Sequence, residues 1–374
     1  MTERPQDLYL DGEPANLEVA PGDVHAPAER LSFSLQYLRY SMASDPCCEE
    51  FPVTAPWITY RPALKVLDCT VRDGGLINEH CFEDGFVKAV YQACVDAGID
   101  YMEFGYKSSK KITAKDKFGC WKFCDEDDLR RIVDDNPSDL KLSVMADAGK
   151  TDWHTDILPK KHSVLDMIRV AFYVHQVAEA VDMIKDAHDK GYEVCANLMA
   201  VSRATELEIE QCLELVAETP CSTIVVVDSF GSLYAEQVEL LVKKYMQYAK
   251  PKGKEVGIHA HNNQQLAFAN TIEAIIHGAN RVDATMFGLG RGAGNCPMEL
   301  LIGFLRNPKF HIRPIYQVLQ SHLLPLSRKV EWGPHVQYMI TGQLNQHPRS
   351  AIAARESDRR DEYVDFYDKL ITEE

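Results

Sequence analysis

The sequence predicts a closed barrel of eight parallel strands, each followed by a helix, over residues 61–307. Apolar or β-branched runs alternate with amphipathic helical stretches, and eight such units fit into about 240 residues, the size of a (β/α)8 TIM barrel. Polar side chains recur just after the predicted strands, at the end of the barrel where enzymes of this fold carry their sites. An open, doubly wound sheet shares this alternation and stays an alternative, because periodicity does not reveal closure.

The predicted strands are short and largely apolar, as parallel strands buried on both faces are. They are Lys65–Asp68, Tyr101–Phe104, Leu142–Ala146, Ile168–Phe172, Glu193–Leu198, Thr223–Val227, Val256–His259 and Val282–Met286. The helices predicted between them include Glu83–Ala97, Val174–Lys190, Glu206–Glu218, Ala235–Tyr248 and Leu266–His277. Gly98, Gly191 and Gly278 fall where a helix should end before the next strand.

Two flanking segments differ from the barrel. Residues 1–60 are interrupted by prolines, and only Ala28–Ser41 favours a helix, so we predict an N-terminal arm or lid. Residues 308–374 predict a helical C-terminal extension that caps the barrel or makes an oligomer contact.

The bulk properties exclude several classes of partner. The net charge is −16 and no dense run of Lys or Arg occurs, which argues against nucleic acid or an anionic membrane as a partner. No run approaches the ~20 apolar residues of a membrane helix, and the acidic N-terminus is not typical of a secretory signal. We therefore expect a cytoplasmic protein.

The eleven scattered cysteines favour reduced thiols, with a zinc site at Cys120 and Cys124 as the alternative.

The segment Gly257–Asn263 carries the first chemical signal. Side chains two residues apart on a strand point to the same side, so His259 and His261 can converge on one divalent ion. Asp73, after the first strand, can complete a two-histidine, one-carboxylate set that leaves positions open for water and substrate. Arg72 beside it offers a cationic fork for an oxyanion. Two separate rim histidines and an Arg–Asp pair that closes a loop are the alternatives.

A glycine-rich loop, Gly288–Asn295, follows the eighth predicted strand. Its glycines let backbone N–H groups approach a ligand closely, as anion-binding loops do. Asn295 can donate to substrate or offer its carbonyl oxygen to the metal. A flexible loop without a ligand is the alternative.

Together these segments resemble the DRE-TIM metallolyase superfamily from about Lys65 to Leu305. The matching motifs are D-C-T-V-R-D-G-G after the first strand, E-F-G (Glu103–Gly105), V-D-S-F-G (Val227–Gly231), H-A-H-N-N and G-L-G-R-G-A-G-N. The superfamily includes 4-hydroxy-2-oxovalerate aldolases, hydroxymethylglutaryl-CoA lyases, and isopropylmalate and homocitrate synthases. The ending Arg281–Asn295 is similar to that of the aldolase branch.

The resemblance implies roles for particular residues. Asp73, His259 and His261 would bind the metal with Asn295 close by, and Arg72 would steady an enolate oxygen. The segment Trp332–Tyr338 looks like one that covers the barrel mouth, which makes Tyr338 a catalytic candidate. The motif residues Glu103 and Asp228 are expected, like Asn295, to contact substrate.

Two departures from the family pattern concern the substrate. The aldolases carry a catalytic histidine shortly after R-D-G, but here Gly75-Leu76-Ile77 follows, so His80 is the candidate base if the loop folds back. The cationic stretch Tyr106–Lys110 predicts that Lys107 contacts an anionic substrate.

The predicted function is that of a divalent-metal-dependent aldolase or lyase acting beside the carbonyl of a 2-oxo acid, through a pyruvate-type enolate, with an aldehyde as partner. The ion is expected to be Mn²⁺ or Mg²⁺, with Zn²⁺ or Co²⁺ as alternatives. A Claisen-type enzyme that condenses an acyl-CoA, a non-haem iron oxygenase and a non-catalytic barrel that binds a partner are the rival functions. By analogy with the family, we expect a homo-oligomer.

Overall fold

The computed structural model describes residues 62–372, and the predicted arm at residues 1–60 therefore lies outside the described residues. Eight parallel strands form a closed barrel in chain order, with the last strand pairing with the first. The strands are β1 Lys65–Asp68, β2 Tyr101–Tyr106, β3 Lys141–Asp147, β4 Met167–Phe172, β5 Glu193–Leu198, β6 Thr223–Asp228, β7 Glu255–Ala260 and β8 Arg281–Ala284. The predicted (β/α)8 barrel is confirmed, and the open-sheet alternative is wrong.

Helices surround the barrel and continue beyond it. The helices between β1 and β8 are α1 Thr70–Gly74, α2 Asp84–Ala97, α3 Glu126–Val133, α4 Trp153–Asp156, α5 Val177–Asp189, α6 Glu206–Ala217, α7 Ala235–Ala249 and α8 Ala267–Ile276. They continue with α9 Met298–Leu305, α10 Ile312–Val318, α11 Leu324–Ser327, α12 Val336–Gln343, α13 Arg349–Arg355 and α14 Tyr363–Thr372. No helix within residues 62–372 combines the length and apolar composition that crossing a bilayer requires.

The helix ends follow the local sequence. Gly98, Gly191 and Gly278 have φ values of +70°, +98° and +111°, left-handed conformations that stop a helix, as predicted. The sequence predicts an eighth strand that extends to Met286, but β8 ends at Ala284. Its continuation turns away because a short 3-10 helix, Met286–Gly288, leads into the glycine-rich loop.

The core has two apolar layers. The larger one lies between the strands and the surrounding helices, where side chains such as Val66, Leu142 and Val226 are fully or almost fully buried. A smaller cluster forms from Leu67, Cys69, Tyr101, Met167, Cys195, Val225 and Val227. Because side chains alternate along a strand, residues that do not face the helices face the barrel axis. Among the strand residues, Glu103, Arg169, Asn197 and Asp283 are buried and polar.

Strand β2 contains an irregularity that bears on the site. Its register with β3 shifts between Glu103 and Tyr106. At Gly105 the chain passes so close to its neighbour that a Cβ atom would lie 1.8 Å from the Trp121 carbonyl oxygen. A bulge of this kind changes the direction of the following side chain. We infer that Gly105 is needed for close approach, and that it lets Tyr106 face the barrel mouth.

This close approach predicts a large loss of stability in Gly105→Ala. The added methyl group would collide with backbone, which cannot rotate away, so the free energy of unfolding should fall by about 3 kcal/mol. Gly85→Ala is the matched control, because a Cβ there meets nothing within 4 Å and the residue lies in α2. That change should leave stability unchanged or raise it by up to about 1 kcal/mol. Urea denaturation of both variants measures the difference, and equal midpoints would contradict the packing argument.

Candidate metal and substrate site

Asp73, His259 and His261 converge at the end of the barrel where the strands terminate. Asp73 lies on α1 directly after β1, His259 lies in β7, and His261 follows β7 by one residue. Asp73 Oδ2 is 3.2 Å from His259 Nε2 and 3.7 Å from His261 Nε2. One potential ligand atom from each residue lies within 4.8 Å of the other two, and all three residues are buried. The structure thus brings together the three predicted metal ligands.

The hydrogen bonding of the proposed ligand atoms is consistent with a site that binds a cation. Asp73 Oδ2 and His259 Nε2 are buried and have no hydrogen-bond partner. Buried polar atoms are normally satisfied, so an unsatisfied pair of this kind is what a site for a bound ion requires. One carboxylate and two imidazoles are also a donor set that divalent transition metals accept. The residues present therefore fit the divalent ion that the family implies.

The electrostatics keep the ligand set ready for a cation. Burial alone would raise the pKa of Asp73, but the Arg72 guanidinium and the two imidazoles hold it well below its usual value. Burial keeps the pKa of His261 well below 6.5 despite the nearby Asp73 carboxylate. Asp73 is thus anionic and His261 neutral at pH 7, the forms in which both side chains bind metal.

Asp283 orients His259. Its Oδ2 atom is 3.0 Å from His259 Nδ1, an arrangement in which Nδ1–H donates to the carboxylate and leaves the Nε2 lone pair facing Asp73. Burial opposes a charge on His259, but the carboxylates of Asp283 and Asp73 raise its pKa. A bound ion would therefore compete with a proton at Nε2.

Six side chains form a closed circuit of charge contacts beneath the site, which we call the buried ionic ring. Its members in order of contact are Asp73, Arg72, Glu103, Arg169, Asp283 and His259. Arg72 Nε is 2.8 Å from Glu103 Oε2, and Arg169 Nη1 is 2.9 Å from the same oxygen. Arg169 also donates to Asp283 and to Asn197. Arg72 Nη2 is buried and has no hydrogen-bond partner.

The glycine-rich loop closes over the metal ligands. Asn262 N–H donates to Gly294 O, and His261 and Asn295 form an isolated antiparallel bridge. Asn295 Nδ2 donates to Leu289 O at 3.3 Å, whereas its Oδ1 atom is buried without a hydrogen-bond partner. The structure thus places Asn295 beside the triad with an unused carbonyl oxygen.

A cavity of about 260 Å³ opens above the triad. Arg72, His259 and His261 line it, and in all the lining includes residues from each of the eight β/α connections and from the C-terminal extension. The other lining residues are Leu76, Tyr106, Lys122, Met145, Asp147, Lys150, Arg169, Tyr173, Asn197, Met199, Val227, Ser229, Phe230, Arg291, His347 and Arg349. This volume lies just below the roughly 300–1,000 Å³ of drug-sized ligand sites, so the cavity suits a small polar molecule.

Glu103 and Lys107, predicted to contact substrate, do not line the cavity. Glu103 is fully buried in the ionic ring, where two guanidiniums occupy its Oε2 atom. Lys107 is buried and its Nζ donates to Cys124 O at 2.6 Å. Tyr106, the last residue of β2, faces the cavity, and Lys107, the next residue along the chain, points away from it towards Cys124.

Asp228 and Tyr338 are also placed outside the cavity. The Asp228 carboxylate accepts the backbone N–H groups of Ser232 and Leu233, so it fixes the turn after β6. Tyr338 is 6% exposed and packs with Ala293 and Ala351 on the outer side of the glycine-rich loop. Cys120 and Cys124 belong to none of the groups within residues 62–372 that are close enough to share an ion.

His80 lies behind the cavity wall. The loop after α1 does fold back, with both Glu79 and His80 at positive φ, but His80 is 1% exposed and does not line the cavity. Its ring makes an edge contact with Tyr106, with centroids 5.3 Å apart, and Tyr106 is the residue that reaches the cavity. Burial, together with the Lys122 and Arg72 cations, lowers the pKa of His80 to about 3.

Several lining residues were not expected from the sequence. Arg169 lies in the middle of a strand with apolar neighbours, and the only available signal was a charged residue in a buried run. Lys122, and not Lys107, is the lysine of this region that lines the cavity. His347 and Arg349 come from the C-terminal extension, and Arg291 Nη1 lies 3.5 Å from His347 Nε2. Burial and the cations of Arg291 and Arg349 lower the pKa of His347 to about 4.

Comparison with known proteins agrees with this geometry. The family model described as HMGL-like matches residues 63–321. The chain belongs to the HMGL-like family. A 4-hydroxy-2-oxovalerate aldolase of Bacillus cereus is 26% identical over 277 residues, which cover 72% of this chain and 80% of the relative. A 4-hydroxy-2-oxovalerate aldolase 3 of Rhodococcus opacus is 27% identical over 246 residues, or 64% and 70% of the two chains.

Solved structures of other proteins share the fold. The N-terminal domain of a proposed aldolase from Bacteroides vulgatus superposes with a TM-score of 0.68 at 29% identity, covering 79% of this chain and 97% of that one. The HMG-CoA lyase from Brucella melitensis gives a TM-score of 0.56 at 16% identity, with coverages of 70% and 98%, and supports the fold alone. The predicted DRE-TIM membership and the predicted class, metal-dependent aldolase or carbon–carbon lyase, are confirmed.

The burial of neutral His80 predicts a specific pH dependence of stability. The folded pKa of about 3 lies below the ordinary value of 6.5, so the unfolded chain takes up a proton first as pH falls. Between pH 6.5 and 4.5 this should lower the free energy of unfolding by about 2 kcal/mol. Denaturation of wild type and His80→Gln across this range should show the wild type losing that much more stability. His162→Gln, at an exposed position, should behave as wild type, and parallel curves for His80→Gln and wild type would refute the assignment.

Proposed function

We propose that this enzyme makes or breaks the carbon–carbon bond next to the carbonyl group of a 2-oxo acid, with an aldehyde as the second partner. The observation that carries the proposal is that Arg72 and the histidines of the Asp73, His259 and His261 triad form the floor of the cavity. The aldolases of Bacillus and Rhodococcus, which are similar over most of the barrel, support the same choice of substrate class.

The residues of the floor have separate roles in this proposal. Asp73, His259 and His261 hold the ion, with Asn295 Oδ1 as an additional donor. When bound, a divalent ion supplies Lewis-acid polarisation of a carbonyl group. Arg72 directs its unused Nη2–H groups at the oxygen on which enolate charge develops, while Glu103 and Asp73 fix its guanidinium in place.

Proton transfer must be carried out by residues other than the histidine used in the aldolase relatives. The residues after R-D-G are Gly75, Leu76 and Ile77, and Leu76 lines the cavity. In the cleavage direction the 4-hydroxyl proton leaves as the bond breaks. Asp147, whose Oδ1 is buried without a hydrogen-bond partner, and the neutral imidazole of His347 are cavity groups able to accept it. His80, whose ring packs against that of Tyr106, would serve as a positioning residue that holds Tyr106 in place.

The proposal also covers the identity of the metal ion. We infer that the ion is Mn²⁺ or Mg²⁺, with Zn²⁺ and Co²⁺ also compatible with the donor set. The ligation chemistry does not select among these ions, so metal analysis of the purified protein is the test. A cytoplasmic location and a homo-oligomeric state remain predictions, as does the division of the chain at residues 60 and 307.

Replacing Asp73 tests the metal site. Asp73→Asn removes the anionic ligand, so metal content should fall, and with it the metal-dependent exchange of the C3 protons of pyruvate observed by NMR. Asp189→Asn, whose side chain is 83% exposed, is the matched control and should retain both. Borohydride added with substrate should leave wild type unlabelled, because enolisation here requires no lysine Schiff base. Stable labelling, or full exchange in Asp73→Asn, would contradict the proposal.

Replacing Arg72 tests oxyanion stabilisation. Arg72→Lys keeps a cation near Glu103 and Asp73 but removes the second N–H arm of the guanidinium. We expect unchanged metal content and exchange slowed by about 10² to 10³, by analogy with the loss of one oxyanion donor. Arg359→Lys, at a surface position, should exchange at the wild-type rate. Wild-type exchange in Arg72→Lys would remove Arg72 from the mechanism.

An acyl-CoA condensation by the same floor residues is the alternative reaction. Incubation of the metal-loaded enzyme with acetyl-CoA, a 2-oxo acid and a thiol reagent distinguishes the two reactions. Release of free CoA that depends on the 2-oxo acid would favour condensation, and cleavage of a 4-hydroxy-2-oxo acid without CoA would favour the aldolase.

A further inference from the structure

The cavity has a different electrostatic character from the rest of the chain. Six cationic side chains line it, namely Arg72, Lys122, Lys150, Arg169, Arg291 and Arg349, and Asp147 is the single carboxylate among the lining residues. Arg72 and Arg169 are neutralised from below by the carboxylates of the buried ionic ring. The excess positive charge therefore lies on the walls, in a chain whose net charge is −16.

Lys122 is the most informative of the wall cations. Its Nζ lies 4.3 Å from the centroid of the Tyr106 ring and 5.6 Å from that of Phe118, so two aromatic rings hold the ammonium in place. Within residues 62–372, no carboxylate oxygen lies within 4.0 Å of it. Lys122 is half-buried, and this burial lowers its pKa. A half-buried ammonium without an anionic partner is unfavourable unless a ligand supplies that partner.

Lys150 adds a second cation to the same wall. Its Nζ is 3.1 Å from Asp147 Oδ2, so one carboxylate serves a wall that carries two ammonium groups. Each of these charges acts on Lys122: Asp147 raises the pKa of Lys122 and Lys150 lowers it. One positive charge on this wall is left without a protein counter-charge.

We propose that the second substrate of this enzyme carries an anionic group, a phosphate or a carboxylate, that binds at Lys122 and Lys150. This inference rests on the proposed function, which supplies the 2-oxo acid and its binding at the floor. Lys122 and Lys150 lie outside the buried ionic ring, and the one carboxylate beside them, Asp147, leaves one positive charge available to a second ligand group. Tyr106 connects the two regions, because Arg72 Cζ lies 6.0 Å from the centroid of the ring that Lys122 covers.

Matched aldehydes test the inference with pyruvate and the metal-loaded enzyme. Succinic semialdehyde is compared with butanal, and glyceraldehyde 3-phosphate with glyceraldehyde, by following formation of the aldol product. We expect kcat/KM for one anionic aldehyde to exceed that for its neutral counterpart by about 10- to 100-fold, the effect of a charged hydrogen bond. The pair that shows the preference identifies carboxylate or phosphate. Equal values in both pairs would overturn the inference.

Lysine variants locate the effect. In Lys122→Met and Lys150→Met the ratio of anionic to neutral kcat/KM should fall towards one, and Lys122→Arg should restore most of it. Lys185→Met, on the exposed face of α5, is the matched control and should leave the ratio unchanged. A preference that persists in both methionine variants would show that other residues bind the anion and would overturn the assignment.

Two further measurements separate this inference from the function on which it rests. Exchange of pyruvate C3 protons without any aldehyde reports the proposed chemistry alone. Calorimetric titration of the metal-loaded enzyme with succinate and with glycerol 3-phosphate reports the anion site alone. Exchange without an anion preference refutes the inference and leaves the function standing. Absence of exchange refutes the function, and weaker anion binding in Lys122→Met then decides whether the lysine pair is an anion site.

Discussion

The buried ionic ring is the constraint on which the rest of the site depends. It joins four strands, because Glu103 lies in β2, Arg169 in β4, His259 in β7 and Asp283 in β8. Arg72 and Asp73 enter it from the turn after β1. Removing one member of such a buried circuit would leave a charge without a partner, which typically costs 3–5 kcal/mol. The barrel must therefore close with these strands in one register for the charges to be satisfied.

The buried ionic ring also orients residues of the proposed active site. Arg169 is not one of the three proposed metal ligands, yet it holds Glu103 against Arg72 and Asp283 against His259. The orientation of both the oxyanion donor and one imidazole is thus fixed from the centre of the barrel. Ligand atoms held by rigid strands and by a surrounding shell of hydrogen bonds need little reorganisation when a cation binds. This explains why two unsatisfied atoms, Asp73 Oδ2 and His259 Nε2, persist side by side.

The sequence predicted those parts of the site that depend on local geometry. The alternation of side chains along a strand placed His259 and His261 on one side, and the position of Asp73 after the first strand placed it beside them once the barrel closed. Gly74 and Gly75, which follow Asp73, have ordinary helical φ values of −58° and −60°. Their small size is what matters, because a Cβ at Gly75 would lie 2.2 Å from His80 Nδ1.

Other parts of the site depend on contacts that the sequence does not encode locally. Lys107, which the sequence predicts to contact substrate, lies one residue after Tyr106, the side chain that faces the cavity, since the bulge after Glu103 determines which side chains of this segment face inward. Lys122 replaces it only because the following loop folds over Tyr106. His347 and Arg349 lie more than fifty residues beyond the last strand, and no periodicity links them to the barrel mouth. Such residues are found only from the tertiary arrangement.

The charge distribution has a consequence for how an anionic substrate reaches the site. A net charge of −16 repels an approaching anion at long range, but this repulsion is screened beyond about 8–10 Å at physiological ionic strength. Inside the cavity the walls exclude water on several sides, so the contribution of Lys122, Lys150, Arg291 and Arg349 is less screened and more directional. Selectivity for anions is therefore a local property of the walls. It is independent of the overall charge, which is why composition alone gave no indication of it.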